Sequence, residues 1–125
     1  MTTTTPTAGA RVLSASTIIG DDVYNAQGEK LGDIKELMID LDQNRVAYAV
    51  LSFGGFLGMG DKLFAIPFES LKLDAAKEHF LLDIPKERLE QAPGFDKDNW
   101  PSTGDRTWGE EVHRFYGVEP YWMRR

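Results

Sequence analysis

The stretch from Gly28 to Gly55, GEKLGDIKELMIDLDQNRVAYAVLSFGG, constrains the fold most, because it reads as a complete antiparallel hairpin with turn signals at both ends. Apolar residues recur along both arms. Between them Asp42, Gln43 and Asn44 supply side chains that bond their own backbone and tolerate left-handed dihedrals, so the chain turns there. The arm Lys30 to Leu41 contains an irregularity. Leu37, Ile39 and Leu41 share one parity and Ile34 has the other, which predicts an extra residue, a β-bulge, near Lys35 and Glu36. The return arm, Arg45 to Phe53, is apolar at both parities and is expected to be covered on both faces.

The rest of the chain closes around this hairpin. Ser14 to Gly20 predicts one helical turn, capped by Ser14 or Ser16, that tucks Ile18 and Ile19 under the first strand. Asp22 to Asn25 reads as a short strand. Lys62 to Ile66 forms the next one, with Pro67 at an edge or bulge. Leu71 to Leu73 and His79 to Ile84 form a second hairpin, and Pro85 opens a helix that ends at Pro93 and Gly94. The expected fold is mainly β, a small antiparallel barrel of about six strands with short C-terminal helices. The expected organisation is a disordered leader over residues 1–13, a barrel domain over 14–85, and a helical, aromatic-rich extension over 86–125 that packs on the barrel.

A chain of 125 residues with 42% hydrophobic and 27% charged residues suits one soluble domain with appendages. It carries no cysteine, which excludes disulfides and thiolate metal sites and fits a reducing compartment, with the cytoplasm as the expected location. Residues 21–92 hold 14 Asp and Glu against 8 Lys and Arg, within a net charge of −6. An acidic barrel repels phosphate backbones and acidic lipid headgroups, so neither nucleic acid nor a membrane is an expected partner. There is no run of signal-peptide or membrane-span character.

Gly20, the strand and turn up to Gly28, the entry Lys30-Leu31-Gly32, the strand Arg45 to Leu51 and the strand Phe64-Ala65-Ile66-Pro67-Phe68 together resemble a PRC-barrel domain over roughly residues 14 to 85. Members of that family are similar to the cytoplasmic domain of the photosynthetic reaction-centre H subunit and to the C-terminal domain of a ribosome-maturation factor. The resemblance implies a docking module without catalytic residues. Stand-alone bacterial members with a Trp- and Tyr-rich tail, which this chain resembles, generally lack an assigned function.

Residues 95–125 hold 7 of the chain's 14 aromatic residues and all three tryptophans. Thr107 and Glu110 fit a capping box, and Gly117 fits the stop of the helix that follows. Trp108, Val112, Phe115 and Tyr116 fall on one face, expected to cover the doubly apolar strand, with docking onto another subunit as the alternative.

Chemical motifs are sparse. Gly55 to Gly60 is glycine-rich, but Asp61 follows where a phosphate loop needs Lys and Ser or Thr. Asp40, Asp42 and Asn44 copy half of a calcium loop, but Arg45 replaces its glycine and Leu51 its bidentate glutamate. His79 and His113 have no second histidine at ligand spacing. No catalytic residue, metal site or cofactor is therefore expected. The expected function is a non-enzymatic protein-interaction module, partnering a second copy of itself and an unidentified protein. Phe56, Leu57 and Met59 are the expected partner-binding residues. The alternative is a small-molecule or enzyme site at the barrel mouth, which a polar-lined interior would favour and a packed one would not.

Overall fold

In the computed structural model, which describes residues 11–54 and 61–124, β2 (Lys30–Asp40) and β3 (Arg45–Gly54) form the long hairpin. Its turn is built by Asp40, whose Oδ1 accepts from the amides of Asp42 at 2.9 Å and Gln43 at 3.0 Å, and by Asn44 at φ +55°. The expected bulge is present. Ile34 pairs with Leu51 and Glu36 with Val50, so Lys35 is the extra residue, and both Ile34 and Leu37 pack against the main core.

A second register shift lies between Met38 and Ile39, where Met38 pairs with Tyr48 and Ile39 with Val46. Ala47 is the extra residue on β3. The sequence pattern continued the apolar face through Ile39 and Leu41, but beyond this shift both are exposed, Leu41 at 81%.

The other strands are β1 (Asp22–Tyr24), β4 (Asp61–Pro67), β5 (Leu71–Asp74), β6 (His79–Leu82) and β7 (Gly94–Phe95). They form one sheet in the order β5-β6-β1-β2-β3-β4-β7. The expected antiparallel barrel of about six strands is corrected in strand number, in direction and in closure. The sheet has seven strands, because Gly94 has no side chain to strike the Phe64 ring; a Cβ there would lie 2.8 Å from it, so the chain can lie along β4 as β7. The sheet is also mixed, since β1 and β6 run parallel, pairing Val23 with Phe80 and Tyr24 with Leu81.

The short 3₁₀ turn Phe68–Ser70 carries the chain from β4 to β5, although four strands separate these two in the sheet. The sheet must therefore roll until its ends approach. It does not close into a barrel, since β4 and β5 do not pair. Phe64 and Ile66 of β4, Leu71 of β5, and Phe80 and Leu82 of β6 share one core with Val23, Leu31, Ile34 and Leu51. Gly32 sits where β2 crosses β3 most closely: a Cβ there would lie 2.0 Å from the Ser52 carbonyl oxygen.

Asn25, 2% exposed, ties the β1–β2 turn to the chain leaving the neighbouring β6. Its Oδ1 accepts from the amides of Gln27 and Glu29, while its Nδ2 donates to Glu29 and to the Ile84 carbonyl. Helix α1 (Ala15–Ile18) is capped by the Ser14 hydroxyl, which accepts from the Thr17 amide. Ile18 reaches the core, whereas Ile19 stays 39% exposed. Helix α2 (Lys86–Leu89) is one turn that buries Leu89. Helix α3 (Arg106–Phe115) starts two residues before the expected box. Its cap is Asp105, accepting from the amides of Thr107 and Trp108, because a carboxylate there reaches both free donors at once.

Candidate functional site: the covered outer face of β3 and β4

Along β3, Ala49, Leu51 and Phe53 point into the main core, while Ala47 and Tyr48 join a second cluster on the opposite face with Ala65, Val112 and Tyr121. Tyr48 alternates with Ala49 by the normal pleat, and the register shift at Ala47 turns that residue to the same side as Tyr48. The cover over this outer face consists of α3 and the 3₁₀ turn Tyr121–Met123. Trp108, Tyr116 and Trp122 pack against the same cluster. The four aromatic and aliphatic residues of the expected helix face divide their contacts. Phe115 packs on the main core with Arg88 stacked 4.3 Å above its ring, and Tyr116 reaches both clusters.

Helix α3 lies close to the sheet because residue 109 is glycine: a Cβ there would stand 2.6 Å from Tyr48 Oη and 2.7 Å from Trp122 Cη2. One turn later His113 is fully buried, with Nδ1 2.8 Å from the Gly109 carbonyl oxygen. Three rings surround it, Trp122 at 5.2 Å, Tyr48 at 5.6 Å and Tyr121 at 5.8 Å between centroids. Its Nε2 has no hydrogen-bond partner among the described residues. Burial holds this imidazole below its ordinary pKa, and the bond to Gly109 opposes that only in part.

Two polar contacts fasten the cover. Asp40 Oδ2 accepts from the Tyr121 hydroxyl and from Arg106, whose Nη2 is 3.3 Å away. Arg106 in turn stacks on Trp122 at 4.4 Å, and Arg45 stacks on Tyr121 at 4.3 Å. The Tyr121 bond holds the Asp40 carboxyl below the usual carboxylate range, with the two turn amides adding to it. Farther along, Arg124 pairs with Glu69. The acid that seemed to copy a calcium ligand is thus engaged by its own turn and by the cover. Among the described residues no three His, Cys, Asp or Glu side chains converge as a metal-binding group. His79 stacks on Tyr24 at 4.4 Å and lies 3.8 Å from Asp74.

Beside the cover runs an open groove of about 510 Å³ between the β6–α2 connection and the end of α3, lined by Leu82, Pro85, Arg88, Phe115 and Tyr116 among others. Its wall includes Leu82 and Ile84 of the main core. Phe56, Leu57 and Met59, the expected partner-binding residues, lie outside the described residues. Sequence reasoning missed Asp40, Gly109 and His113 as parts of one site. The readable signal was the spacing of Gly109 and His113, four residues apart on the helix face that carries Trp108 and Val112.

A rolled, unclosed sheet of short strands around one core is consistent with the PRC-barrel fold. A PRC-barrel domain profile matches residues 11–89, and the chain belongs to that family. The cover from Arg106 onward lies beyond the matched residues. No curated protein matches the chain. Among the described residues no helix is long and apolar enough to cross a membrane.

Proposed function

We propose that this protein is a non-enzymatic docking module of the cytoplasm that associates with itself and with a protein partner. The observation that carries this reading is the filled interior. Val23, Leu31, Ile34, Leu51, Phe64 and Ile66 are each at most 1% exposed, so the rolled sheet holds side chains where a substrate would sit. Membership of the PRC-barrel family supports it. The self-association contact is assigned to Phe56, Leu57 and Met59, apolar residues in a glycine-rich stretch of the sequence, each contributing about 1.5–3 kcal/mol if buried on docking. A patch carried by every copy is most simply buried against a second copy. Sedimentation of the wild type and of a Phe56→Ser, Leu57→Ser, Met59→Ser variant tests this. The wild type is expected to be a dimer or higher oligomer and the variant a monomer. A wild-type monomer at high micromolar concentration, or an equally oligomeric variant, overturns it.

The groove beside α3 favours a second reading, a small-molecule site. Its volume falls within the range of about 300–1,000 Å³ usual for ligand pockets, and its wall includes Leu82 and Ile84 of the main core.

A further inference from the structure

We infer that His113 is an acid-sensitive lock: protonating its ring lifts α3 and the Tyr121–Met123 turn from the outer face of β3 and β4. The geometry leaves the proton no place in the seated state. In the neutral ring Nδ1 donates to the Gly109 carbonyl, and a proton added at Nε2 meets no acceptor among the described residues. The added charge would lie within the Tyr48, Tyr121 and Trp122 rings, in a site with no exposure to water.

The charged groups around it do not compensate. β3 contributes Arg45 and the phenol of Tyr48, the 3₁₀ turn after β4 contributes Glu69, and the C-terminal segment contributes Tyr121 and Arg124. Glu69, the one anion of this set, is already paired with Arg124. Asp40 lies on the same face but is engaged by Tyr121 and Arg106, and it stays ionised at pH 5. The ring therefore gains its proton by reaching water, and reaching water requires the helix to lift.

The cover can move as a unit. It follows an exposed connection, and the buried residues of the main core, Val23 to Ala92, all precede it, with only Phe115 and Tyr116 of the cover packed against them from outside. Lifting uncovers Ala47, Tyr48 and Ala65, an apolar face closed in the seated state. The lock goes beyond the docking role and stands apart from it, since the measured quantity is the position of the cover.

The sign follows from linkage. The lifted state has a histidine of ordinary pKa near 6.5 and the seated state one below it, so the cover is fully seated above about 6.5. As pH falls through 6.5 toward the seated-state pKa, the ratio of lifted to seated molecules rises by up to about tenfold per pH unit.

The test follows histidine ring and tryptophan indole NMR signals of the full chain from pH 7.5 to 5, with His79→Gln identifying the His113 resonance. The expected result is that His113 titrates below pH 6.5 together with shifts at Trp108 and Trp122, while amides of β3 and β4 remain protected from exchange. His113→Phe should keep the cover seated through the range. Indole signals unchanged to pH 5 overturn the lock, as do an unchanged transition in His113→Phe or loss of sheet protection at the same pH. If the phenylalanine variant does not fold, the wild-type titration decides alone, because a His113 titration with no indole response also overturns it.

Discussion

Replacing Gly109 by alanine sets two known effects against each other. Inside an exposed helix the change is favourable by about 1 kcal/mol, since glycine gives up more backbone freedom. In α3 the new methyl would stand 2.6 Å from Tyr48 Oη and 2.7 Å from Trp122 Cη2. Both atoms are tips of side chains, so they can shift, but Tyr48 is 2% exposed and boxed by Trp108 at 5.2 Å and His113 at 5.6 Å. Overpacking of this kind costs about 1–3 kcal/mol. The net expectation is a variant between equal in stability and about 2 kcal/mol less stable. Urea denaturation at pH 7.5 measures it, and hydrogen exchange should place the loss in residues 106–123. A gain of about 1 kcal/mol, as on a solvent-facing helix, would refute the close seating of α3 on β3.

Three other substitutions probe different parts of the fold. Asp40→Asn removes the carboxylate that serves both the hairpin turn and the cover, and should lower stability at pH 7 by about 1.5–3 kcal/mol in chemical denaturation. Because the native Asp40 pKa is depressed, its contribution is complete above about pH 3.8 and lost as pH falls through the native value. An acid-denaturation curve of the asparagine variant should lack that component. Asn25→Asp keeps the two turn contacts but sets a buried charge against Glu29 and the Ile84 carbonyl, at an expected cost of about 2 kcal/mol or more by urea titration. Deleting Lys35 removes the extra residue and leaves Ile34 and Leu37 two positions apart on one face of a regular strand, so both should stay in the core while β2 loses its bend, and calorimetry should find a loss smaller than the about 1.5 kcal/mol that one side chain leaving the core would cost.

The parts of this fold that were legible in the sequence are those written in a single strand. The phase break between Ile34 and Leu37 announces its bulge because side-chain alternation is strict, and the double apolar pattern of β3 announces two covers. The parallel pairing of β1 with β6 has no such signature. It follows from how the Phe68–Ser70 turn hands the chain across the rolled sheet, and no local pattern encodes that. The α3 cap was misplaced because Asp105 and Thr107 are both competent capping residues, and only the folded chain selects between them. In the sequence His113 stood out only as a histidine without a second one at ligand spacing. Its burial depends on Gly109 letting the helix approach Tyr48, a relation between distant positions.

The parallel pair of β1 and β6 also bears on how the chain finds its structure. β2 and β3 meet across a four-residue turn, whereas the contact of Asn25 with Ile84 closes a separation of 59 positions. Loop-closure entropy must be overcome before such a distant pair yields any stabilisation, so the hairpin is expected to form early and the β1–β6 seam late. Mutations at Val23 or Phe80 should then accelerate unfolding and leave the folding rate nearly unchanged, while mutations at Ile34 or Leu51 slow folding. The seam that rolls the sheet is the last part to assemble and the first to open.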